Sequence, residues 1–127
     1  MSFNDIYTAH ALASSDEFIL LPVKIAQFLG IERALILQKI RSICSENKQF
    51  RENVYFIDGY WWANIGIDNL YRSMPFFPRD EIQYHVNDLF HQKYIKAITT
   101  EGGIELLARV DAEVLGKDLS EFLKQFN

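Results

Sequence analysis

The sequence predicts a mainly helical domain with a small β-hairpin, on three observations. Apolar residues recur at helical spacing along much of the chain. Two tight-turn signals, Asp58-Gly59 and Gly102-Gly103, each lie between short β-prone runs. The chain has 127 residues, 49% of them hydrophobic and 14% aromatic, which is enough for one core and too short for two such domains.

The elements follow in order. Pro22 suits the first position of a short helix and Gly30 its end, with Val23, Ala26 and Leu29 at helical spacing between them. A second helix is predicted from Glu32 to Glu46, burying Ile36, Leu37, Ile40, Ile43 and Cys44 and leaving Arg33, Lys39, Arg41 and Lys48 outside. The polar stretch from Asn47 to Glu52 reads as a loop. Val54 to Ile57 and Tyr60 to Trp62 read as a short hairpin across Asp58-Gly59, or the second arm as only a short extended stretch; an extended segment puts the adjacent Trp61 and Trp62 on opposite faces.

A third helix starts near Ile67 or Asp68, with Asp68 as its cap, and ends near Ser73. Pro75 and Pro78 each disfavour helix in the preceding residue and so break the chain there; Phe76 and Phe77 in this turn are expected to wedge into the core. A fourth helix opens at Arg79 and faces Ile82, Val86, Leu89 and Phe90 inward. A strand from Lys93 to Thr99 turns at Glu101-Gly102-Gly103 and returns from Ile104 to Val110. The tail from Asp111 is helical, with Gly116 a possible break and Asp118 with Glu121 a capping pair for the second piece.

Helix, helix, short strand, helix, tight turn, helix and hairpin is the order of a winged helix-turn-helix domain with an added C-terminal helix. In that arrangement residues 79–91 are the recognition helix and 94–109 the wing. The chain reads as a single domain, 1–127: an N-terminal extension (1–21), a winged-helix core (22–110) and a C-terminal helix (111–127).

Particular residues carry a family resemblance as well. Phe18-Ile19-Leu20-Leu21-Pro22, Ile25-Ala26, Leu29-Gly30-Ile31 and Ala34 to Gln38 are followed by Trp62 and by Met74-Pro75-Phe76-Phe77. Ile82, Val86, Leu89 and Tyr94-Ile95 continue the pattern. Over roughly 18–96 the chain resembles winged-helix phage and plasmid replication proteins, including the N-terminal domain of DnaD-type replisome organisers. The resemblance implies DNA binding or self-association in replication initiation, with replication or host proteins as partners. The chain departs from the family at the start of the recognition helix, where Asp80 and Glu81 stand, with Asp88 further along, in place of mostly basic and hydroxyl residues. Helicase loading, which belongs to a further region of fuller members, is not carried over.

Thirteen Lys+Arg against seventeen Asp+Glu give a formal charge of −4, which excludes a histone-like polyelectrolyte. The charge is uneven. Residues 22–51 carry +4 through Lys24, Arg33, Lys39, Arg41, Lys48 and Arg51 against Glu32 and Glu46. Asp5, Asp16 and Glu17 interrupt any N-terminal signal, the single Cys44 cannot form an internal disulfide, and no apolar run spans a bilayer. A cytoplasmic domain with no membrane partner is expected.

For double-stranded DNA, the outward face of the fourth helix offers Arg79, Gln83, Tyr84, Asn87 and His91. Arg suits guanine, and Asn or Gln suits adenine. Arg72, Lys93, Lys96 and Arg109 would anchor phosphates. The tail stripe Leu115, Leu119, Phe122, Leu123 and Phe126 either folds back on the core or forms a helix that pairs two copies into a homodimer or binds a partner protein. A protein-interaction module, an adaptor or inhibitor that does not touch DNA, is the alternative. Catalysis has little support: His10, His85 and His91 have no metal-ligand spacing, Cys44 reads as a core thiol, and no phosphate-cradling loop is present. No cofactor, metal or catalytic residue is expected.

Overall fold

The computed structural model describes residues 21–46, 54–103 and 105–125. Their elements are α1 (Val23–Leu29), α2 (Ile31–Glu46), β1 (Val54–Ile57), β2 (Tyr60–Asn64), α3 (Ile67–Ser73), α4 (Arg79–His91), β3 (Ile95–Thr99), β4 (Leu106–Val110) and α5 (Ala112–Lys124). The class is mixed: five helices pack with one antiparallel sheet in the order β1-β2-β4-β3. The sheet is larger than the small hairpin of the predicted class, because the hairpins at both turn signals are joined into one sheet where β2 pairs with β4.

Helix α2 is the centre of the core. Its Ala34, Ile36, Leu37, Ile40 and Ile43 are all buried, against Ala63 of β2, Ile95 of β3 and Ala108 of β4. Ala63 and Ala108 are cross-strand partners, both fully buried. Two methyl side chains at that crossing let the helix lie close on the sheet. Ile82, Val86 and Leu89 of α4, Leu70 of α3 and Leu115 of α5 complete the cluster.

The turns follow local chemistry. Asp58 and Gly59 both have positive φ, 52° and 84°, as the favoured two-residue hairpin turn requires. Met74 after α3 is buried to zero exposure, so the proline-interrupted turn is anchored by its methionine. Phe77 packs against the core, whereas Phe76 is 62% exposed and is no wedge.

Other expectations are corrected. Lys39 is buried, so α2 lacks the full basic outer face that its sequence suggested. Phe90 is 47% exposed although its spacing pointed inward, because Ile82, Val86 and Leu89 already fill the face of α4 that meets the core. Asp68 lies inside α3 and Gly66 is the residue before it. Helix α5 runs unbroken through Gly116. Its cap is Asp111, whose carboxylate accepts from the Val114 N–H at 3.2 Å, while Asp118 accepts from the Tyr94 hydroxyl at 2.9 Å.

The tail stripe folds back. Leu115 is buried, Leu119, Phe122 and Leu123 are half-buried, and Phe126 lies outside the described residues. Phe28 of α1 holds the helix down, with ring centroids 5.1 Å from Phe122 and 5.8 Å from Tyr94. Burial and the hydrogen bond to Asp118 push the Tyr94 phenol from its ordinary 10.0 up to about 12. Among the described residues no helix is long and apolar enough to cross a membrane.

Candidate nucleic-acid interface

Helix α4 turns its apolar positions onto α2, which leaves Arg79, Gln83, Tyr84, Asn87 and His91 as one exposed stripe. The stripe spans about 18 Å at 1.5 Å per residue, comparable to the reach of a helix laid along a DNA groove. Gln83 donates to Asn87 at 2.9 Å, so the two amides present a joined polar edge.

The first turn of this helix is anionic. Arg79 ion-pairs with Asp68 at 3.3 Å and its guanidinium lies 4.3 Å from the centre of the Tyr71 ring. Asp80 and Glu81 are exposed and have no cationic partner among the described residues. They suit the positive end of the helix dipole and repel a phosphate. Asp88, the third acid of the helix, behaves otherwise. It is half-buried in an ion pair with Arg33 of α2, whose Nε also donates to the Leu29 carbonyl at 2.8 Å. One base of the early basic segment is thereby spent inside the molecule.

The last turn is different. The Lys93 N–H donates to the Phe90 carbonyl and the Tyr94 N–H to the Leu89 carbonyl, each at 3.0 Å. This closes the helix with the two crossed bonds of a Schellman cap. The cap needs a left-handed residue, normally glycine, and here it is Lys93, at φ 68°. A left-handed backbone on a residue with a Cβ costs about 1–2 kcal/mol. Lys93 is exposed, and with His91 of α4, Lys96 of β3 and the apolar Phe90 and Ile98 it borders a cleft of about 550 Å³.

The predicted residues therefore fall into separate groups. His91, Lys93 and Lys96 come together at the α4–β3 corner. Arg79 sits at the far end of the helix, and Arg72 is exposed on the last turn of α3. Arg109 points elsewhere, its guanidinium stacked 3.7 Å from the Tyr60 ring centre and 5.2 Å from that of Trp62. Trp62 itself is buried and donates its indole N–H to the Ile57 carbonyl at 3.0 Å, while Trp61 is half-buried against Phe56. Sequence reasoning missed Tyr60 and Arg41 as neighbours of Arg109. A lone arginine in the apolar strand Leu106–Val110 was the available signal, but its partners depend on strand register. Among the described residues no cluster of three or more His, Cys, Asp or Glu side chains gathers as a metal site would need.

No protein-family model matches the chain, and neither the curated proteins nor the solved structures contain a significant match.

Proposed function

We propose that the chain is a winged-helix DNA-binding module that meets duplex DNA with the outward face of α4 and holds phosphates at the α4–β3 corner. The carrying observation is Lys93, an exposed lysine in the left-handed cap position beside His91 and Lys96. Element order supports the reading. The run α2, β2, α3, α4, β3, β4, with β2, β4 and β3 adjacent in that order, has the connectivity of a winged helix whose wing is β3–β4. Hairpin partner β1 is then an added edge strand. The sequence resemblance supplies the setting: replication initiation or its control on a phage or plasmid, in the cytoplasm, with replication or host proteins as partners. A homodimer belongs to the same proposal. Most of the apolar side of α5 is spent on α1 and the core, so pairing would use its outer edge.

Fluorescence anisotropy of a labelled duplex, at low and at moderate salt, tests this. Binding at low salt that weakens as salt rises supports it. Absence of binding at low salt, where phosphate contacts are strongest, contradicts it.

One observation favours a second reading, a protein-interaction module on the same fold. The exposed acids Asp80 and Glu81 lie near Phe76, 62% exposed, and Tyr84, 68% exposed. Exposed aromatic side chains beside charged groups are common at protein interfaces. A chain that ignores DNA but retains a host protein, and loses it on Phe76→Ala and Tyr84→Ala substitution, would fit this reading.

A further inference from the structure

The seam between the two hairpins opens at one end. Strands β2 and β4 pair at Asn64↔Leu107 and Ala63↔Ala108, and the ladder stops there. Beyond it the thiol of Cys44, from α2, sits 3.5 Å from the Trp61 carbonyl and 3.9 Å from the Ala108 carbonyl, between the two diverging strands. The space beyond is a cleft of about 630 Å³. Tyr60, Lys96 and Arg109 come from the sheet, Arg41 from α2, and Leu115 and Leu119 from α5.

The acids at this cleft are largely occupied. Asp111 pairs with Lys96 at 3.7 Å and caps α5 through Val114, and Glu113 stands on the exposed first turn of α5, where the helix dipole favours it. Two cations are left over. Neither Arg41 nor Arg109 has a carboxylate partner among the described residues. Arg109 is held in place by its stacking on Tyr60, and its Nε is buried with no acceptor. Arg109 also lines the cleft, so an anion there meets the charge of its guanidinium. The leucines of α5 and the ring of Tyr60 give the same cleft an apolar wall.

We infer that this seam cleft binds a small molecule made of an anionic group, carboxylate or phosphate, on an apolar ring. The anion lies between Arg109 and Arg41, and the ring lies against Tyr60, Leu115 and Leu119. This cleft shares Lys96 and Asp111 with the α4–β3 corner but not Lys93, so Lys93 separates the two sites.

The test uses the full chain and two dyes that share the same rings: anilinonaphthalene sulfonate, which is anionic, and N-phenylnaphthylamine, which is neutral. Saturable binding of the sulfonate, with the neutral dye about tenfold weaker or more, is expected for a charge-assisted contact. Arg41→Gln and Arg109→Gln should each weaken the sulfonate about tenfold, and Lys93→Gln should leave it unchanged. Arg41 is exposed on α2, so its variant keeps the test valid even if Arg109→Gln disturbs the sheet. Benzoate or phenyl phosphate should displace the dye, and whichever does so more strongly identifies the anion. Equal binding of the two dyes, no displacement by either competitor, or loss of binding only on Lys93→Gln would each overturn the inference.

Discussion

Helix α4 begins on Arg79, Asp80 and Glu81 and ends on His91 with Lys93 just beyond, and the two ends relate differently to their surroundings. At the start, the one base is tied to Asp68 and Tyr71, while two acids have no cationic partner among the described residues. At the end, Lys93 has no ion pair among the described residues and sits on a left-handed backbone. Both arrangements agree with the helix dipole, which favours acids at the first turn and bases at the last. The lesson is that helix stability and phosphate binding want the same charge only at the C-terminal end. On the proposed function, a nucleic-acid contact on this helix leans toward the corner with β3 and away from the acidic first turn.

Breaking the helix tests whether that comparison has a rigid frame. Leu89→Ala removes a fully buried side chain and should destabilise the fold by about 2–5 kcal/mol in denaturant unfolding. Phe90→Ala, one residue on and 47% exposed, should stay below about 1 kcal/mol. Similar losses for both would mean that α4 is seated with a different face inward.

Neutralising the first turn sharpens the comparison. Asp80→Asn with Glu81→Gln should weaken the helix by about 0.3–1 kcal/mol per charge through the lost dipole interaction. The same double change should tighten duplex binding, because two charges that repel phosphate are gone. Unchanged or weaker DNA binding, with the fold intact, would favour the protein-interaction reading.

A smaller effect belongs to the α5 anchor beside the C-terminal end. The Tyr94 phenol is held neutral up to about 12, against an unfolded value of 10.0. Between those values the unfolded chain has released this proton and the folded chain has not, so stability falls as pH rises. The contribution is fully present below pH 10 and is lost through pH 12. In Tyr94→Phe the stability–pH curve should be flatter over that window, as read by denaturant midpoints. Parallel curves would remove Asp118 and burial as the cause.

Much of the fold was legible because local rules and packing agree. The Asp58-Gly59 turn, the break at Pro75 and Pro78, and the buried faces of α2 and α4 all follow from short-range signals. What failed depended on distant partners. Lys39 is covered, Phe90 is displaced from the core by its neighbours, and Asp118 prefers the Tyr94 hydroxyl to capping a broken tail. The candidate site was legible as residue types on the outer face of α4 and as anchors at Lys93 and Lys96, without their grouping at one corner. The role of Arg33 in neutralising Asp88, and the grouping of Arg109 with Tyr60 and Arg41, come from contacts across more than one element that no spacing encodes.

On the proposed function, Lys93 takes a left-handed backbone that holds its cation where a DNA phosphate would bind. Lys93→Gly isolates it, because glycine relieves the left-handed strain while removing the charge. Relief of roughly 1–2 kcal/mol, offset by the extra unfolded-state freedom of glycine, should leave the variant as stable as the parent or slightly more so. Its binding to duplex DNA at low salt should be weaker, with the slope of log affinity against log salt reduced by about 1. Equal affinity and an equal salt slope for Lys93→Gly and the parent chain would contradict the account.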